Sequence, residues 1–208
     1  MPQLVYTPER MRKNLSLSQV AAIALLAIFT VFITWRAKTV ETRFAEDHGS
    51  SALQDKTAPN FSLESLDGHI VALADYKGKK KLIIAYWASW CGPCRLEMPS
   101  LRRFYETYHN ANSDFEVLAI SVDENERAAQ AYAQEEKLPF PVLLDPHSQA
   151  ADAFSVDAIP AIFVIGKDGK VTYASTGLDQ ALEVRLALQL GLKVRQFSAM
   201  GGGDDSGH

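Results

Sequence analysis

Lys81-Leu82-Ile83-Ile84-Ala85-Tyr86-Trp87-Ala88-Ser89-Trp90-Cys91-Gly92-Pro93-Cys94-Arg95-Leu96-Glu97-Met98 is the stretch on which the reading of this chain turns. Its first part, through Trp87, is almost wholly apolar and reads as a buried strand. Its last part, from Pro93, is helix-compatible. Between them stand both cysteines of the protein, three residues apart. Side chains at i and i+3 at the start of a helix lie on one face, close enough to close a disulfide across a single turn. A helix N-terminus also stabilises a thiolate, and in such motifs the first cysteine's pKa falls from about 8.5 to about 3.5–7.5. These residues in this context point to reversible dithiol–disulfide exchange.

Two plainer readings fit less well. Structural zinc takes four ligands, and no second Cys-x-x-Cys exists, while His48, His69, His109, His147 and His208 are scattered. No metal site is therefore assigned. An inert structural disulfide across so short a loop constrains the unfolded chain little.

Working outward, the N-terminal side offers Phe61-Ser62-Leu63 and Ile70-Val71-Ala72-Leu73 around Asp67-Gly68, a hairpin signal. On the C-terminal side a helix is expected from Pro93 to about Asn110, kinked at Pro99. A strand over 115–122 follows, then a helix over 124–136, an extended segment over 138–144 and a short helix over 148–154. The strands 161–165 and 171–174 bracket Gly166-Lys167-Asp168-Gly169, a second hairpin signal. A last helix carries Leu182, Leu186 and Leu190 and stops at Gly191. Alternating strands and helices with a closing hairpin and helix predict an α/β sandwich.

The N-terminus carries a second signal. From Val20 to Trp35 no residue is charged. Residues 15–35, at 1.5 Å rise per residue, make roughly 30 Å of helix, the thickness of a bilayer's hydrocarbon core. Arg36-Ala37-Lys38-Thr39 follows it, without the small-residue pattern of a signal-peptide cleavage site. The expectation is an uncleaved signal anchor over 15–35 behind a short N-terminal segment, 1–14. A polar linker over 36–57 follows, then a globular domain over 58–194 and a disordered tail over 195–208. Arg10, Arg12 and Lys13 before the span balance Arg36, Lys38 and Arg43 after it, so the positive-inside rule leaves the orientation undecided. The net charge of −4 and the lack of a basic stripe argue against nucleic acid as a partner.

Trp90-Cys91-Gly92-Pro93-Cys94 after an apolar strand resembles the thioredoxin superfamily. Ala58-Pro59-Asn60-Phe61-Ser62-Leu63, Asp67-Gly68, Tyr76-Lys77-Gly78-Lys79, Trp87-Ala88-Ser89-Trp90 and Glu97-Met98-Pro99 make it more particular. The chain resembles the membrane-anchored TlpA and ResA type of thiol–disulfide oxidoreductase, relatives of the cytochrome c maturation thioredoxins. That resemblance implies a thioredoxin-like fold with an N-terminal β-hairpin and an insert over about 125–144, on a domain working outside the cytoplasm at the inner membrane, which makes residues 1–14 a cytoplasmic N-terminus. It implies no cofactor. Its partners are protein disulfides and, with no third cysteine for a relay within the chain, a transmembrane electron donor of the thiol-reducing type.

Carried onto this chain, the resemblance makes Cys91 the exposed nucleophile and Cys94 the resolving thiol, with Trp90 shielding the site and Gly92-Pro93 fixing the turn. Pro160 takes the place of a cis-proline beside the redox motif, which turns the Ile159 main chain toward an extended substrate. Glu97 takes the place of an acidic active-site residue; its alternative is a solvated helix charge, since Glu is a common surface helix former. The chain departs from thioredoxin at Ala85, where a buried aspartate is usual, so a proton acceptor for Cys94 must come from elsewhere, Glu97 or water. It departs from the cytochrome c maturation branch at Ala161, which stands where Glu is typical after the cis-proline. Within the enzymes an oxidase or isomerase is the alternative. Outside them it is an anchored copper chaperone, a class that uses Cys-x-x-x-Cys and a distal His where this chain has Cys-x-x-Cys. A peroxidase lacks support, because its threonine-containing cysteine motif is absent.

Overall fold

The computed structural model describes residues 18, 21, 23–33 and 53–194. They fall in two compact units, divided between Asp47 and His48. In the first, residues 23–33 are helical (α1). Its apolar side chains stand in the open all round the helix, from Ile23 and Leu25 through Phe29 to Ile33, each about half exposed or more. Among the described residues no helix is long and apolar enough to cross a membrane. The flanking parts of the expected 15–35 anchor, most of the linker and the tail lie outside the described residues.

The second unit is built on one seven-stranded sheet in the order β2-β1-β5-β4-β3-β6-β7. Its strands are β1 (Ser62–Ser65), β2 (Ile70–Ala72), β3 (Lys81–Trp87), β4 (Phe115–Ser121), β5 (Val142–Leu144), β6 (Ala161–Ile165) and β7 (Val171–Thr176). The helices are α2 (Gly92–Tyr108), α3 (Glu126–Glu135), α4 (Gln149–Ala153) and α5 (Leu182–Leu190). The central strand β3 pairs parallel with β4, Ala85 opposite Ala119, and antiparallel with β6, Ala85 opposite Ile162.

The apolar run of β3 has a simple cause: both faces of the strand are buried, so neither set of alternate residues is free to be polar. Ile83, Ala85 and Trp87 join the core formed with α2, α3 and α5, where Leu101, Phe104, Tyr132 and Leu186 pack. Leu82, Ile84 and Tyr86 point the other way, to the core formed with Leu73 and with Ala150 and Phe154 at α4. The sheet is thus covered on both sides, the layering expected of the α/β sandwich.

The β1–β2 hairpin turns at Asp67-Gly68, with Gly68 at φ +83° and its N–H donating to Ser65 O at 2.8 Å. The left-handed conformation suits a residue without Cβ. The insert becomes α3 and β5, and β5 adds a parallel strand beside β4, Ile120 opposite Leu143. The thioredoxin-like fold with an N-terminal hairpin and a central insert is therefore present.

Helix α2 contains Pro99, as the sequence reading expects. One detail differs from that reading. The end of the expected linker belongs to the domain: Asp55 N–H donates to Val171 O, Val171 N–H donates to Lys56 O, each at 2.9 Å, and Thr57 bridges Lys170. Main-chain pairing of this kind carries no side-chain pattern, so a polar stretch next to a strand reads as tether.

Candidate active site

Parallel strands β3 and β4 end side by side, and the chain leaves β3 for the redox motif at that edge. Asp123, just past β4, holds the loop between. Its carboxylate accepts from Ser89 N–H at 2.9 Å and from the Ser89 hydroxyl at 2.7 Å. The Ser121 hydroxyl donates to the same carboxylate at 2.8 Å. Asp123 is 2% exposed, a buried carboxylate whose lone pairs are used. Sequence reading missed it. The available signal was its position, since functional side chains in α/β sheets gather at the carboxyl ends of strands.

Cys91 is the N-cap of α2, and its sulfur accepts from Cys94 N–H at 3.2 Å. Pro93 sits in the first helical turn, where its missing N–H is no loss. Cys91 and Cys94 form a disulfide, with Cα atoms 5.2 Å apart. The expectation of an exposed Cys91 is corrected: it is 5% exposed and Cys94 1%. The Cys91 sulfur is turned inward, toward Cys94 N–H and within 3.8 Å of Ile159 O. Trp90, expected to shield the site, projects from it, 70% exposed.

The Ile159–Pro160 bond is cis, and Pro160 O accepts from Gly177 N–H at 2.7 Å, joining this turn to the end of β7. Trp90 and Ile159 stand on the wall of a groove of about 800 Å³ that opens beside the disulfide. Val122 and Val156 supply more of its apolar wall, and the carboxylates of Glu124, Asp152 and Asp157 rim it.

Glu97 lies one turn beyond Cys94. The solvated-charge alternative is overturned: Glu97 is 4% exposed. It shares a small internal space with Cys94, Ala85, Met98 and Pro160. Asp179 N–H donates to its Oε1 at 3.0 Å. Burial pushes the Glu97 carboxyl up to about 7; the Asp179 N–H pulls against that, and the Asp179 charge adds to it. A carboxyl held there takes up or releases a proton near neutral pH. The structure thus gathers Cys91, Cys94, Glu97, Ile159 and Pro160, with Trp90, Gly92 and Pro93 in the turn itself. Asp179, which sequence reading missed, is brought in from a loop 82 residues away, and no local pattern marks it.

Comparisons with known proteins agree with this geometry. The AhpC/TSA family matches residues 55–174. The thiol-disulfide oxidoreductase ResA of Geobacillus kaustophilus is 34% identical over 151 residues, covering 73% of this chain and 84% of that protein. ResA of Geobacillus thermodenitrificans is 33% identical over 167 residues, 80% of this chain and 91% of the other. A crystal structure assigned as the thiol:disulfide interchange protein DsbE from Chlorobium tepidum superposes with a TM-score of 0.61 at 30% identity, over 68% of this chain and 96% of that one. With a paired Cys91 and Cys94 at the head of α2 on this fold, the chain belongs to the AhpC/TSA family of the thioredoxin superfamily and is a thiol–disulfide oxidoreductase.

Proposed function

We propose that the protein is a membrane-tethered reductase that returns the disulfides of other proteins to thiols outside the cytoplasm. The observation that carries this reading is the Cys91–Cys94 disulfide at the head of α2, its Cys91 sulfur within 3.8 Å of the carbonyl of Ile159, which with Trp90 lines the neighbouring groove. The Gly-Pro dipeptide between the cysteines matches that of thioredoxin, whose potential is about −270 mV. The anchor rests on the uncharged run from Val20 to Trp35 and on the apolar surface all round α1. A helix apolar on every side needs a non-aqueous neighbour.

In the reduced enzyme the Cys91 thiolate attacks one sulfur of the substrate disulfide and expels the other as a thiolate. Cys94 then attacks the Cys91 sulfur, releasing the second substrate thiol and closing the Cys91–Cys94 disulfide. Two electrons pass to the substrate. Glu97 takes the Cys94 proton as that thiol becomes a nucleophile and returns it when the disulfide is reduced again. An external dithiol, supplied by a transmembrane electron donor, recharges the pair. An extended substrate segment lies along the groove and meets the Ile159 main chain.

The deciding measurement is the equilibrium potential of the full chain against glutathione. A value near about −270 mV is expected; one near about −120 mV, where strong oxidants lie, overturns the reducing direction. A phosphatase fused after His208 is expected to be active outside the cytoplasm. Reporter activity confined to the cytoplasm overturns the topology.

A further inference from the structure

The Glu97 carboxyl is not held by its own helix. Among the described residues, the donor to its carboxyl is the main-chain N–H of Asp179, in the loop between β7 and α5, and Asp179 is itself fixed. Its Oδ1 accepts from Ala181 N–H at 2.9 Å, which ties it to the start of α5. Its Oδ2 accepts from Arg185 Nε at 2.5 Å. Asp179 is 4% exposed, so both partners replace water that the carboxylate has lost. Helix α5 is in turn braced against α2, by the Arg103–Glu183 ion pair at 2.8 Å and by buried Leu186.

We propose that Asp179, locked by Arg185 and the start of α5, is a positioning residue for Glu97. Its N–H aims the Glu97 carboxyl into the space shared with Cys94, and its carboxylate, tempered by Arg185, biases that carboxyl toward the neutral form. The inference rests on the reading of Glu97 as the proton partner of Cys94. The two buried carboxyls cannot both carry full charge at low cost. Arg185 satisfies Asp179, so the proton goes to Glu97. That leaves Glu97 able to donate when Cys94 departs as a thiolate and to accept when Cys94 attacks.

Among the described residues, the charged and titratable groups facing this carboxyl are Asp179, Arg185 and Tyr173 on β7; Cys94 on α2 is held in the disulfide. Burial holds the Tyr173 phenol above its ordinary value, so it stays neutral while Glu97 titrates. Arg185 is held above its ordinary value, chiefly by its hydrogen bond to Asp179, and stays a cation.

The test follows the Glu97 side-chain carboxyl by carbon-13 NMR in the oxidised full chain, its resonance assigned by its loss in Glu97→Gln. Asp179→Asn keeps the main-chain donor and an oxygen for Ala181 N–H but removes the neighbouring charge. The Glu97 midpoint is expected to fall by about half a pH unit. Arg185→Gln removes the compensating charge, and the midpoint is expected to rise. Opposite shifts from two neighbouring substitutions are not what general loosening produces. An unchanged midpoint in Asp179→Asn, or shifts of the same sign in both variants, overturns the proposal. The reading of Glu97 as proton partner is judged separately, by whether Glu97→Gln alters the pH profile of disulfide reduction by dithiothreitol. A flat response there sinks that reading and leaves the NMR result to stand or fall alone.

Discussion

The main-chain N–H of Asp179 donates to the Glu97 carboxyl at 3.0 Å, so the loop entering α5 controls an ionisable group on the helix that carries the cysteines. Glu97 is buried and its proton affinity raised, to about 7 against an ordinary 4.5. Between those values the folded state binds a proton that the unfolded chain does not. Stability therefore falls as pH rises through that window. In wild type the loss is at most about 3 kcal/mol. Glu97→Gln keeps the acceptor for Asp179 N–H and cannot ionise. Its stability is expected to stay nearly level from pH 5 to pH 8 while that of wild type declines. Urea midpoints of the oxidised proteins across this range check it, and parallel curves count against a buried, titrating Glu97.

Cys91→Ser is expected to abolish insulin-disulfide reduction driven by a dithiol donor, because only a thiolate attacks the disulfide. Cys94→Ser keeps the nucleophile and loses the resolving thiol, so it is expected to accumulate mixed disulfides with substrate, visible on non-reducing gels. Full activity in Cys91→Ser with loss in Cys94→Ser reverses the two roles.

Asp123 accepts both the N–H and the hydroxyl of Ser89. Asp123→Ala leaves those donors and the Ser121 hydroxyl without their acceptor in a buried setting. A cost of about 1–3 kcal/mol is expected, with slower disulfide exchange as the loop before Cys91 loses its anchor. Thermal melting and stopped-flow rates on Asp123→Ala and Asp123→Asn measure both, and Asn, which keeps one acceptor oxygen, is expected to fall between.

Trp90 is 70% exposed beside the disulfide and is not needed for packing. Trp90→Ala is expected to leave stability within about 0.5 kcal/mol. It is expected to lower kcat/KM for a protein disulfide by about tenfold, as loss of an aromatic anchor at an interface does, while reduction by dithiothreitol changes little. Equal losses toward protein and small-molecule thiols place Trp90 in the chemistry instead.

The sequence by itself determined the elements and the chemistry they carry. The apolar run of β3 is visible because a strand buried on both faces has no polar positions, and Asp67-Gly68 is visible because its turn takes a left-handed residue. Cys91 and Cys94 are visible because their spacing is local: one turn of helix brings them together whatever the rest of the chain does. The pairing of residues 55–57 with Lys170 and Val171 was not legible, since main-chain hydrogen bonds leave no trace in side-chain order. The burial of Cys91 and Glu97 was not legible either, because a position on a helix face says nothing of what packs against it. Only the tertiary structure brought Asp123 to Ser89 and Asp179 to Glu97. Those contacts join distant parts of the chain, and what makes them matter is the exclusion of water, which the assembled fold alone provides.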